Sequence, residues 1–120
     1  MGYQSFEELR VWQAAKKLAV QIYKATTEGR LARDFGMRDQ MRRAAVSIAA
    51  NIAEGYDRGS DKNFVRFLFV AKGSLSELRT HLAIATEVGY IADDVRVNFL
   101  ADCTRIGTML TRLIKARVHP

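Results

Sequence analysis

Residues 40–60 read QMRRAAVSIAANIAEGYDRGS and residues 61–79 read DKNFVRFLFVAKGSLSELR. In the first of these, Met41, Ala45, Ile48 and Ile52 recur at three- and four-residue spacing; Phe64, Leu68, Ala71, Leu75, Leu78 and Leu82 do the same farther on. Each set forms one apolar stripe on a helix, so the stretch reads as two long antiparallel helices joined by a turn. Gly55 is expected to close the first helix in the left-handed conformation. Ser60 is expected to accept a backbone hydrogen bond at the start of the second.

Upstream, Ser5 followed three residues later by Glu8 predicts a capping box, and Leu9, Trp12, Ala15, Leu18 or Ala19, and Ile22 continue at helical spacing. This first helix is expected over about 6–28, ending near Glu28 and Gly29. A polar connection over 29–36 leads to Asp34, the expected acceptor at the start of the second helix (35–55). The third helix is expected over 60–88 with Gly89 as its stop signal. The fourth, over 93–117, starts at Asp93 or Asp94 and turns Val95, Phe99 or Leu100, Cys103, Ile106, Leu110, Leu113 and Ile114 inward. The fold class is therefore all-α, an antiparallel up-down-up-down four-helix bundle in a single domain over 1–120.

The 120 residues suffice for a core without disulfides or metals. One proline and 48% apolar residues fit a helical protein and argue against disorder. The lone Cys103 excludes an intramolecular disulfide and fits a reducing compartment. No apolar run approaches the roughly 20 residues of a membrane span, and the opening MGYQSFEE lacks the pattern of a signal peptide, so a cytoplasmic location is expected. Nineteen basic against thirteen acidic side chains give a net charge of +6, which favours an anionic partner, nucleic acid or an acidic protein surface.

Two sets of polar residues stand out. Arg38, Arg42 and Arg43 sit in the first turns of the second helix, where the backbone dipole disfavours cations by about 0.3–1 kcal/mol each. Arg58, Lys62 and Arg66 extend a basic line through the turn into the third helix, and all six are candidate phosphate contacts. They form one rim only if the hairpin brings the two groups together. Ser47, Asn51 and Glu54 share a face at i, i+4 and i+7, and Ser74 and Glu77 face them if the hairpin is antiparallel, which predicts a packed polar layer setting register. Gly73, costly inside a helix, predicts a close backbone approach at that level. Phe67, Phe69 and Val70 widen the apolar surface of the third helix and predict contact with another subunit. Arg112, Lys115 and Arg117 crowd the last turns of the fourth helix, where cations complement the dipole.

Chemistry of other kinds finds little support. A di-metal bundle needs about four inward carboxylates and Glu-x-x-His spacing. Here Glu77 and His81 stand four apart and the other histidine is His119, so no metal or cofactor is expected. Cys103 lies on an apolar stripe and reads as a buried thiol. Glu54 and Glu77 form a carboxylate pair only in principle, and no phosphate loop or Ser-His-Asp set accompanies them, so no enzyme activity is expected.

The central stretch resembles the four helix bundle proteins also called 23S ribosomal RNA intervening-sequence proteins. The resemblance rests on Phe35-Gly36-Met37, on Gln40 to Ala45, on Ser47-Ile48, on Asn51-Ile52-Ala53-Glu54-Gly55, and on Arg58, Ser60, Phe64, Phe67-Leu68, Ala71, Gly73-Ser74-Leu75 and Glu77-Leu78. The opening Phe6 to Trp12 is also similar to the family's start. Two departures are a missing Phe-Pro pair before the second helix and Ala49 where the family often has proline. The resemblance implies a homopentamer with an open basic surface or channel, and for some relatives a role as accessory protein to a reverse transcriptase in diversity-generating retroelements. The expected function is therefore a non-enzymatic, basic, oligomeric helical protein that binds RNA or DNA without base specificity, with a reverse transcriptase as a further partner. The alternative is a protein-protein interaction scaffold with no nucleic-acid role. Few exposed aromatics are expected on the basic surface for base stacking, which argues against single-strand sequence readout.

Overall fold

The computed structural model describes residues 5–118. A 3-10 turn over Phe6–Glu8 precedes helices α1 (Arg10–Ala25), α2 (Gly29–Arg33), α3 (Phe35–Asp57), α4 (Asp61–Glu87) and α5 (Asp93–Val118). The four long helices pack in the ring order α1, α3, α4, α5, and α5 closes more loosely on α1. Cross-helix hydrogen bonds fix their directions. Arg42, early in α3, meets Thr26 just past the end of α1. Ser47 meets Ser74, while Lys72 meets Thr111 and Arg79 meets Thr104, so consecutive long helices run antiparallel. The result is an elongated helical bundle of 47 × 19 × 19 Å.

The apolar stripes form its core. Met41, Ala45, Ile48 and Ile52 of α3 are buried, as are Phe64, Leu68, Ala71, Leu75, Leu78 and Leu82 of α4. Leu9, Ala15, Leu18 and Ile22 close the core from the α1 side, and Phe99, Cys103, Ile106, Leu110 and Ile114 from α5. Each buried Leu, Ile or Phe contributes about 1.5–3 kcal/mol relative to an exposed one. Trp12 is half-buried, with its ring edge-on to Phe6 at a centroid distance of 5.2 Å.

Several boundaries differ from the sequence-based expectation. Ser5 Oγ accepts from Glu7 N, capping the 3-10 turn rather than a long helix, and α1 begins only at Arg10. At its far end α1 stops at Ala25, because the Thr26 and Thr27 hydroxyls donate to carbonyls of its last turn. The connection that follows contains α2, anchored by buried Leu31.

The glycines exchange roles. Gly55 stays helical and buried, since a methyl there would stand 2.5 Å from Phe67 Cβ and 3.2 Å from Phe64 Cδ1. The left-handed turn falls to Gly59, at φ +86°. Gly73 is exposed with nothing near its would-be Cβ, so the close approach of α3 and α4 lies at Gly55 instead. Ser60, Asp34 and Gly89 act as expected: Ser60 Oγ accepts from Asn63 N, Asp34 Oδ1 from Met37 N, and Gly89 turns the chain at φ +85°. Asp93 and Asp94 lie inside the first turn of α5 rather than at its cap, where they still complement the dipole. Helix α3 continues unbroken through Ala49.

Candidate nucleic-acid interface

The antiparallel hairpin separates the six basic residues singled out from the sequence. Ser47 opposite Ser74 and Gly55 beside Phe67 set its register. Arg38, Arg42 and Arg43 therefore lie toward one end of the bundle, and Arg58, Lys62 and Arg66 lie at the other. Arg42 and Arg58 are about 24 Å apart along α3. They do not form one rim.

Most of the six are also engaged. Arg42 Nε donates to Thr26 Oγ1 at 2.8 Å, its Nη2 donates to Thr26 O at 3.3 Å, and its guanidinium lies over the Tyr23 ring at 4.5 Å. It thus caps the C-terminal end of α1, where a cation is favoured. Arg38 pairs with Asp39 at 2.9 Å, donates to Ala32 O and covers the Phe35 ring. Arg58 pairs with Glu54 at 2.9 Å, and Arg58 and Arg66 both lie over the Phe67 ring. Arg43 and Lys62 have no hydrogen bond or ion pair among the described residues, and they stand at opposite ends.

The polar layer is smaller than expected. Ser47 Oγ and Ser74 Oγ are 2.8 Å apart across the helices, and Asn51 Nδ2 donates to Ser47 O at 2.8 Å and to Ser47 Oγ at 3.0 Å. Glu54 turns to Arg58, and Glu77 is exposed and 3.9 Å from His81. The register explains this correction, because it places Glu54 at the level of Phe67 and Glu77 at that of Ala44, about 15 Å apart along the bundle. That separation also removes the carboxylate pair. Burial pushes the Cys103 thiol up to about 11, so it stays protonated and unreactive near neutral pH. Among the described residues no three His, Cys, Asp or Glu side chains come together as metal ligands, and no helix is long and apolar enough to cross a membrane.

The open cationic surface lies on the other side of α4. A groove of about 470 Å³ between α4 and α5 is lined by Lys72, Arg79, Thr104, Gly107, Thr108, Thr111, Arg112 and Lys115. Its floor is shallow because α5 presents Gly107 and short threonines there, and a methyl at Gly107 would stand 3.3 Å from Leu75 Cδ2. Lys72 Nζ donates to Thr111 Oγ1 at 3.1 Å, and Arg79 Nη2 donates to Thr104 Oγ1 at 3.3 Å. These neutral partners hold the cations in place without cancelling their charge. Among the described residues no carboxylate lines the groove. The nearby Asp102 pairs with Arg105, and Arg117, at the end of α5, pairs with Asp61.

Sequence reasoning gives Arg112, Lys115 and Arg117 one shared role at the helix end, and so passes over this groove. A signal is present nonetheless. Phe69, Lys72, Ser76 and Arg79 step by three and four along α4, and Thr104, Thr108, Thr111 and Lys115 do so along α5.

Two further features are structural in character. Tyr90 donates its hydroxyl to Asp34 Oδ2 at 2.9 Å, tying the α4–α5 turn to the start of α3. The Met37 amide and this hydroxyl hold Asp34 below the usual carboxylate range. Between α1 and α3 runs an apolar groove that includes Trp12, Ala19, Val20, Tyr23, Val46 and Ala50. Val20, Tyr23 and Val46 are each more than two-fifths exposed there, so a broad open apolar face lies on this side, in addition to Phe69 and Val70 of α4.

Comparison with known proteins follows the same architecture. The family model described as 23S rRNA-intervening sequence protein matches residues 7–112. The crystal structure of a protein of unknown function from the S23 ribosomal protein family of Bacteroides thetaiotaomicron superposes with a TM-score of 0.79. It is 28% identical, over 88% of this chain and 98% of that one. No curated protein matches.

Proposed function

For this chain, which belongs to the 23S rRNA-intervening sequence protein family, we propose a non-enzymatic role as a basic helical protein that binds nucleic acid through its phosphates, along the α4–α5 groove. The observation that carries this reading is a row of four cations, Lys72, Arg79, Arg112 and Lys115, with no carboxylate among the groove residues. From the level of Lys115 to that of Arg79 the row extends about 17 Å, enough to meet several phosphates of one strand. The contacts are to backbone charge, so affinity is largely independent of base identity. Arg43 and Lys62, also uncompensated, lie outside the groove and take no part in this reading.

Self-association belongs to the same proposal. The fivefold assembly that the family resemblance implies would repeat the groove around a ring, and the apolar α1–α3 groove supports a contact between copies. Light scattering of the purified protein with a structured RNA fragment, at two salt concentrations, tests both parts. The expected result is an oligomer that gains mass with RNA and loses it as salt rises, with log affinity falling against log salt at a slope of about −3 to −4 for four phosphate contacts. An oligomer indifferent to RNA at low salt contradicts the nucleic-acid reading, and a monomer contradicts the assembly.

A further inference from the structure

Phe69 is 55% exposed, with its ring outside the core. It stands one helical turn before Lys72, whose ammonium lies 6.0 Å from the ring centroid, at the edge of the α4–α5 groove. Other rings carry an arginine closer to their face. Phe67 lies under Arg58 and Arg66, Tyr23 under Arg42, and Phe35 under Arg38 at the α2–α3 end. Among the described aromatics, Phe69 alone shares a stripe with the cations of the groove.

From this juxtaposition we infer that the groove is a track for single-stranded nucleic acid, with Phe69 stacking on an unpaired base while Lys72, Arg112 and Lys115 hold the flanking phosphates. This rests on the phosphate-binding reading above and adds the form of the strand. A duplex buries the faces of its bases, so it has nothing to place on Phe69. A single strand exposes them, and stacking tolerates any base because every base has a π-face. The Lys72 ammonium over the ring contributes positive charge beside the stacked base.

The test is fluorescence anisotropy at fixed low salt with a labelled twelve-nucleotide oligothymidine, an abasic strand of equal length and charge, and a blunt duplex of equal length. Wild-type protein is expected to bind the base-bearing strand roughly 5- to 100-fold more tightly than the abasic strand. Phe69→Ala is expected to remove that difference by weakening the thymidine strand alone, and Phe69→Trp to restore it. Equal binding of thymidine and abasic strands by the wild type overturns the stacking inference and leaves phosphate binding standing. So does a duplex bound as tightly as the strand. Phe69→Ala weakening both strands alike, with a loss of assembled mass in light scattering, overturns it in favour of a subunit contact at Phe69. Binding to none of the three probes overturns the parent reading itself.

Discussion

On its α3 side, helix α4 lies so close to its neighbour that Gly55 has no room for a methyl, whereas on its α5 side it leaves a groove of about 470 Å³ edged by four cations. The two flanks belong to one helix and are both rich in polar residues. Those on the α3 side are consumed: Ser74 bonds Ser47, and Arg66 lies on Phe67. Polar groups on the α5 side are held only by threonine hydroxyls, which position a cation and leave its charge available. The comparison teaches that a basic residue's sequence position says less about ligand binding than what neutralises it. A cation facing a carboxylate or a helix C-terminus is already satisfied; one facing a hydroxyl is not.

Substitutions at two glycines sharpen the contrast most. Gly55→Ala forces Phe67 and Phe64 outward from a seam with no slack, and should destabilise the fold by about 1–3 kcal/mol. Gly73→Ala, one flank away on an exposed helical surface, should stabilise it by about 0.5–1 kcal/mol. Urea melts of the two variants read both signs, and equal effects would erase the distinction between a closed and an open flank.

Arg42 is the next point of leverage. Removing its guanidinium by Arg42→Ala uncaps α1 and should cost about 1–2 kcal/mol in the same melts, while nucleic-acid affinity changes little. A large loss of affinity with unchanged stability would return Arg42 to the binding surface and break the account of the α3 side.

Much of the architecture was legible because burial imposes its period on the chain. Met41 to Ile52 and Phe64 to Leu82 declare their inward stripes residue by residue, and Ser60, Asp34 and Gly89 mark helix ends through local hydrogen bonds or a left-handed turn. Features that depend on how one helix sits against another were hidden. Nothing local tells whether Gly55 or Gly73 meets a neighbouring backbone, since that is decided by the register of α3 against α4. Arg42 finds its partner sixteen residues away, just past the end of another helix, beyond any i, i+4 reading. The groove arises only when Lys72 and Arg79 are brought against Thr111 and Thr104, so its residues read from sequence as ordinary solvated helix surface. The short helix α2, five residues long, has too few apolar positions to show a period.

The smallest effect on stability accompanies the most direct test. Two triple variants lose three positive charges each: Lys72→Gln with Arg112→Gln and Lys115→Gln in the groove, and Arg43→Gln with Lys62→Gln and Arg66→Gln on the opposite flank and ends. Both should melt within about 0.5 kcal/mol of wild type, because all six are surface cations outside the packed core. The measurement is the slope of log affinity against log salt for a single-stranded oligonucleotide. The account predicts that the groove variant loses about 2 from the magnitude of that slope while the other variant keeps it nearly whole. Equal losses would mean that net charge alone drives binding, and a loss confined to Arg43, Lys62 and Arg66 would place the interface on the flank this account describes as closed.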